Sequence, residues 1–251
     1  MHIIGAGRVG GALSSAAHAA GQPAVLLDRD ADWSVLSATD GPIVVATRND
    51  DLDGVVERVP ATRRADLVFV QNGMLRPWLQ DQGLTDNTRG LLFFAVPSRG
   101  ATIQPGPPSP VVGAHANAVV TFLSACGAPA ECVSQQAFTN LEHEKLVWNS
   151  AFGLLCQALG ATVGQVVSEH NDTLAKLVRE LHEVASTELD ITLSLQALLP
   201  RLCDYSMSIP DYTGAVKEWP WRNGWYVRVA REHGVEMPLH TALCEQAGVV
   251  A

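Results

Sequence analysis

Short apolar runs bounded by turn residues recur through the first half of the chain. Ile3 and Ile4, Ala24 to Asp28, Ile43 to Thr47, Leu67 to Val70 and Leu91 to Val96 each have the length and composition of a buried strand. Helical patterns lie between them, with Ala12 to Ala20 closed by Gly21 and a further segment over Asp50 to Val59. Such alternation predicts a parallel sheet covered by helices. Pro97 to Pro110 is rich in proline and glycine and reads as a loop or irregular hairpin. After Val111 and Val112, Ala114 to Ala125 predicts one more helix, stopped by Gly127. From about Ala137 strand signals vanish. Leu174, Leu177, Val178, Leu181, Val184 and Ala185 recur at the spacing of an amphipathic helix. The pattern therefore predicts an α/β domain over residues 1–136 and an all-helical domain over residues 137–251.

The first strand runs straight into Gly5-Ala6-Gly7-Arg8-Val9-Gly10. In this context Gly5 permits a tight turn, Gly7 lets the backbone approach a pyrophosphate, and Gly10 lets the helix pack close to the strand. Phosphates would then face unpaired helix N–H groups. Asp28 follows at about the ~20-residue distance expected of a ribose-binding acid. Strand, glycine loop, helix and acid together define a Rossmann-like nucleotide domain more firmly than the glycines alone.

Composition narrows the function classes. A formal charge of −9 argues against a phosphate-backbone partner, and a small-molecule substrate is expected instead. No run reaches the ~18 apolar residues of a membrane span, and no basic leader precedes the first strand, so no membrane association and a cytoplasmic location are expected. Cys126, Cys132, Cys156, Cys203 and Cys244 form no CxxC pair, and the histidines show no HExxH spacing. Neither a disulfide framework nor a metal site is expected.

Candidate chemistry gathers in the helical half. Lys145 and Asn149 lie four apart in a helical segment and share one face. A lysine ammonium beside an amide can protonate or hydrogen-bond a carbonyl oxygen that gains negative charge on reduction. Taken alone, Lys145 reads first as a solvated surface lysine set among the neighbouring acids Glu142 and Glu144, and only second as a catalytic group.

Four segments in order resemble the ketopantoate reductase (2-dehydropantoate 2-reductase) family, within the 6-phosphogluconate-dehydrogenase-like group. They are the glycine loop, Gln71-Asn72-Gly73-Met74, Lys145-Leu-Val-Trp-Asn149, and Ser206-Met207 followed by Glu218. The ending from Arg231 to Pro238 is also similar to the family's closing helix, glycine stop and proline. The resemblance implies an NAD(P)H-dependent reduction of a 2-keto acid, ketopantoate or a relative, as in pantothenate biosynthesis. It implies Lys145 as general acid and Glu218 as its orienting partner and a ligand for a substrate hydroxyl. Asn72, Asn149 and Ser206 would hold the keto acid's polar groups, with Asn72 also facing the cofactor. Without the resemblance, Asn72 reads as a turn residue, Ser206 as a cap or loop hydroxyl, and Glu218 as an acid at a helix start. Trp219, Trp221 and Trp225 read as cleft walls or as core.

The match departs from the family at several points. Gly153 stands where a second substrate-holding asparagine is usual, Phe93 to Gly100 lacks the usual Thr-His run, and Pro210 precedes the displaced acid Asp211. By the same resemblance Arg29 falls at the phosphate-binding arginine and Arg48 at a lysine near the same phosphate. Two cations against Asp28 favour NADP and keep NAD open. Other expectations include pairing into a homodimer through the helical domain, a related dehydrogenase acting on a hydroxy acid or imine, and a nucleotide-binding sensor without turnover.

Overall fold

The computed structural model describes residues 1–22 and 24–249. The chain divides into two compact units, residues 1–138 and 139–251.

In the first unit the elements run β1 (His2–Ile4), α1 (Arg8–Ala19), β2 (Val25–Leu27), β3 (Ile43–Val45), α2 (Leu52–Arg58), β4 (Leu67–Phe69), α3 (Arg76–Asp81), β5 (Thr88–Gly90), β6 (Ser109–Val112), α4 (Ala116–Ala125) and β7 (Ala130–Cys132). Among the described residues the seven strands form one sheet in the order β2-β1-β3-β4-β5-β6-β7. Every neighbouring pair is parallel except β5 with β6. The α/β expectation is met, with one antiparallel step where the sequence predicted only parallel strands.

Burial explains why the central strands are apolar apart from His2 at the start of β1. β1, β3 and β4 are buried along their whole length. Ile3, Val44, Val68 and Val111 pack with Leu13 and Ala17 of α1 and with Val119, Phe122 and Leu123 of α4. A sheet covered by helices needs no polar face on its strands.

Register then decides where the chain leaves the sheet. Ile4 lies opposite Leu27 and Val45, and Val45 lies opposite Phe69. Gly5, Asp28, the Ala46-Thr47-Arg48 segment and the Gln71-Asn72 turn therefore emerge at one edge. The order reverses at β1, where ligands bind in doubly wound sheets.

The fifth strand is shifted from its expected place. Leu91 to Val96 is not a strand, apart from an isolated bridge between Ala95 and Gln104, and Thr88–Gly90 takes the sheet position. The reason is a buried charge. Arg89 is buried with its guanidinium 4.8 Å from the Phe138 ring centroid, so a strand containing arginine hides from an apolar-run reading. The short β7 is likewise absent from the sequence pattern, because only Ala130 in it is even half-buried.

α5 (Gln135–Leu159) leads into the second unit, which continues with α6 (Val163–Glu169), α7 (Asn171–Glu188), α8 (Leu195–Ser208), α9 (Asn223–His233) and α10 (Pro238–Gln246). The helical expectation is met. All six α7 residues picked out by their periodicity are fully buried. Thr162 and Gln165 form a capping box at the start of α6, and Gly234 ends α9 in the left-handed conformation. Among the described residues no single helix is long and apolar enough to cross a membrane.

The glycine loop is fixed by close backbone approach. Gly5 has φ +107°, and a Cβ at Gly10 would stand 1.9 Å from the Gly5 carbonyl oxygen. Gly10→Ala is therefore expected to cost about 3 kcal/mol, the upper end of ordinary overpacking. A urea titration checks this, and an unchanged midpoint would show that α1 is free to move away.

Candidate functional site

The first unit presents a row of exposed polar groups along the sheet edge. Gly5 and Ala6 are half-buried, Gly7 and Arg8 are exposed, and Val9 and Gly10 turn inward at the start of α1. Nothing lies within 4 Å of where a Gly7 side chain would begin, whereas Gly5 and Gly10 have backbone against them. Space at the middle glycine and closure at the outer two suit a bound pyrophosphate. The Thr47 hydroxyl beside Gly5 is buried without a hydrogen-bond partner. These features fit a dinucleotide's phosphates.

Asp28, Arg29 and Arg48 are all exposed. Asp28 Oδ1 accepts from the backbone N–H groups of Asp30 and Ala31, at 3.0 and 2.9 Å. One carboxylate oxygen thus closes its own loop. Arg58 holds the loop from below, donating to the carbonyls of Arg29 and Ala31 at 2.6 and 2.5 Å. Its guanidinium lies 4.2 Å from the Trp33 ring centroid, and Trp33 Nε1 donates to the Asp28 carbonyl at 2.8 Å. Sequence reasoning missed Arg58, because its partners lie well over twenty positions away.

The turn after β4 is built from paired amides. Gln71 Nε2 donates to Val45 O at 2.8 Å, and Asn49 Nδ2 donates to Asn72 O at 2.9 Å. Asn72 itself is exposed. Arg99 also went unrecognised: from the Pro97–Pro110 loop, its Nη2 donates to the Ala6 carbonyl at 3.1 Å. Within the glycine loop's reach it adds a cation, for which the sequence carries no periodic signal.

In the second unit, Lys145, Glu218 and Arg222 form an electrostatic group. Lys145 keeps part of its surface exposed, yet the packing around it is dense enough to penalise the charged form. Burial and the nearby Arg222 cation push its pKa down to about 7, and Glu218 offsets part of this by raising it. His143, two residues earlier, is pushed down to about 3 by burial and by His182, whose Nδ1 lies 2.9 Å from its Nε2. That pair is neutral at physiological pH and adds no charge.

Glu218 is held in a costly conformation. Its φ of +49° makes it the one non-glycine residue with positive φ among the described residues. Such backbone costs about 1–3 kcal/mol and persists where the surroundings enforce it. Here Oε2 meets buried Arg222 Nη2 at 2.6 Å. The expected helix start at Pro220 is a single 3-10 turn, Trp219–Trp221, and α9 begins only at Asn223. Arg222 was missed, although its i, i+4 spacing from Glu218 is a usable sequence signal.

The other proposed substrate residues are placed differently. Asn149 Nδ2 donates to the Lys145 carbonyl at 2.8 Å, which leaves its amide oxygen for other work. Ser206 lies inside α8 and is fully buried, so it is neither a cap nor a loop residue. Its hydroxyl donates to Leu202 O at 2.8 Å and accepts from Trp148 Nε1 at 2.9 Å. Gly153 has a backbone reason: a Cβ there would meet the Ala215 carbonyl oxygen at 2.8 Å. Trp225 is core, while Trp219 packs against Gly224 and His240.

Residues 137–251 match the family model described as ketopantoate reductase PanE/ApbA C terminal. No curated protein matches the sequence. The fold is shared with a D-mandelate dehydrogenase solved with NADH, at 17% identity and TM-score 0.74, over 98% of this chain and 97% of that one. It is similar to a PanE/ApbA family ketopantoate reductase from Ralstonia eutropha JMP134, at 15% identity and TM-score 0.73, over 99% and 97% of the two chains. It is also similar to a dimeric ketopantoate reductase from Staphylococcus aureus, at 17% identity and TM-score 0.72, over 98% and 96%.

The charge balance around Lys145 has a direct test. Glu218→Gln removes the negative charge that raises the lysine pKa and keeps a hydrogen-bonding side chain toward Arg222. The midpoint for trinitrophenylation of Lys145 by trinitrobenzenesulfonate, followed by peptide mass spectrometry against pH, is expected to move below about 7. An unmoved or raised midpoint would separate Glu218 from the lysine.

Proposed function

From a chain whose residues 137–251 belong to the ketopantoate reductase C-terminal family, we propose a reductase that converts a 2-keto acid to a 2-hydroxy acid with NADPH. What carries this reading is the placement of Lys145 in dense packing beside the Glu218–Arg222 ion pair, which brings its pKa down to about 7. A proton donor matched to neutral pH suits protonation of an alkoxide as it forms. When bound, the nicotinamide supplies the hydride to the carbonyl carbon. Lys145 Nζ gives the proton to the former carbonyl oxygen, and solvent restores it.

Burial sets how readily Lys145 holds that proton, with Arg222 and Glu218 adjusting it in opposite directions, and Glu218 in addition orients the ammonium. Asn72 and Asn149 serve as amide ligands for the carboxylate and carbonyl oxygens, which places the carbon for attack. Ser206 acts through Trp148. Gly5 to Gly10 hold the pyrophosphate, with Arg99 as an added cation. Arg29 and Arg48 take the 2′-phosphate, since Asp28 is partly engaged by its own loop. NAD remains the alternative through the second Asp28 oxygen.

Gly153 favours a second reading on substrate. With backbone filling the space beside it, no side-chain amide stands at this position, and a keto acid other than ketopantoate fits the loss.

Lys145→Ala is expected to lower kcat for keto acid reduction by about 10²–10⁴, the usual worth of a positioned acid, while NADPH affinity stays within about twofold. Stopped-flow turnover and NADPH fluorescence titration measure the two. Equal turnover in variant and parent would remove Lys145 from the chemistry. In the parent, the protonated fraction of Lys145 falls as pH rises through about 7, so the reductive rate should decline above that pH. A rate that climbs from pH 7 to 9 would contradict the assignment. Arg29→Ala with Arg48→Ala should weaken NADPH at least tenfold more than NADH, and equal losses would point to NAD.

A further inference from the structure

Arg58 is the last residue of α2, where a cation has an ordinary use in meeting the negative end of the helix dipole. Its side chain reaches elsewhere. Nη1 and Nη2 of the one guanidinium donate to the carbonyls of Arg29 and Ala31, at 2.6 and 2.5 Å, across 29 and 27 positions of sequence. Its Cζ stands 4.2 Å over the centroid of the Trp33 ring, and Trp33 Nε1 donates to the Asp28 carbonyl at 2.8 Å. Trp33 has a firm footing of its own. It is buried and opens a 3-10 turn, Trp33–Ala38, which Asp32 caps by accepting from the Ser34 N–H at 2.9 Å.

The consequence falls on Asp28. The carbonyls of Asp28, Arg29 and Ala31 are all taken by this clamp, while the N–H groups of Asp30 and Ala31 donate to Asp28 Oδ1 at 3.0 and 2.9 Å. A carboxylate that turned fully toward a ribose hydroxyl would give up two hydrogen bonds of the charge-assisted kind. An anion at the same turn meets no free carbonyl from Arg29 or Ala31. It meets instead the exposed guanidiniums of Arg29 and Arg48.

We propose that Arg58 is a positioning residue that sets cofactor preference: by fixing the carbonyls of Arg29 and Ala31 it keeps Asp28 closed on its own loop, so that the turn after β2 takes a 2′-phosphate in preference to a bare ribose hydroxyl. The proposal rests on the NADPH reading and names the side chain that enforces it. Arg58 acts through the backbone that carries Asp28 and Arg29, both of which stay exposed. Two donors of a single guanidinium are spent on one loop, and the ring beneath them is hydrogen-bonded to that loop as well. A lysine, which is a point donor, cannot span both carbonyls as the planar fork does.

The test measures Kd for NADPH and for NADH by fluorescence titration of the full chain without substrate. In Arg58→Met, an exposed position whose change spares the core, the preference for NADPH over NADH is expected to fall about tenfold, through weaker NADPH and tighter NADH, as loss of hydrogen bonds from a charged donor implies. An equal loss for both cofactors is what a merely structural role gives, and it overturns the proposal. Arg58→Lys keeps the charge without the fork and should lose the preference as the methionine variant does. Full preference in the lysine variant would reduce Arg58 to a distant charge and overturn the proposal too. Adding Asp28→Asn to Arg58→Met should cancel the gain in NADH affinity, because the released carboxylate is its source, and a gain that survives contradicts the clamp. A parent that binds NADH as tightly as NADPH defeats the NADPH reading itself. The clamp is then upheld if Arg58→Met still shifts the ratio toward NADH, and overturned if the ratio stays where it was.

Discussion

The charge on Lys145 is set first by burial and then by two opposing neighbours, and the proposed chemistry of the second unit follows from their balance. Burial and Arg222 disfavour the ammonium, and Glu218 restores part of it, so that the group titrates near neutrality rather than above pH 10. The balance has a structural cost. Glu218 sits in left-handed backbone to meet buried Arg222, and strain of this kind is retained where its surroundings over-determine it. A lysine so tuned exchanges its proton with water at physiological pH, as a general acid must.

The first unit rests on a different constraint, namely backbone packed against backbone. With Gly10 against Gly5 and the ends of β1 to β4 in register, polar side chains from separate turns align along one edge of the sheet. Their positions are then secured by groups remote in sequence. Arg58 clamps the Asp28–Ala31 loop, Gln71 ties the end of β4 to β3, and Asn49 holds the Asn72 turn. The exposed cations Arg29, Arg48 and Arg99 stand on this framework, and Arg99 also donates to the Ala6 carbonyl.

Much of this was legible in the sequence where the signal is local. The glycine loop, the amphipathic α7 and the Lys145-Asn149 face each depend on spacing within a few residues, and the fold follows from them. Legibility failed where a charge is buried by a distant partner. Arg89 disguised β5, because its guanidinium lies over Phe138. Arg58 and Arg99 find their partners across loops, and the strained Glu218 has no local marker. Ser206 was visible as a residue of interest, but its partner Trp148 lies 58 positions away, so its burial and its role toward the indole emerged only in three dimensions. Gly153, seen in sequence as a missing amide, proved to be a point of close backbone approach.

A general acid at Lys145 requires that this lysine titrate near neutral pH in the folded chain. The sequence contains three lysines, Lys145, Lys176 and Lys217, so a protein labelled with ¹³C at the lysine ε-carbon gives a spectrum simple enough to assign by single substitutions. Titrated from pH 5 to 11, the resonance lost in Lys145→Met should show its midpoint at about 7. A midpoint above 10 for that resonance would contradict a proton donor tuned to neutral pH.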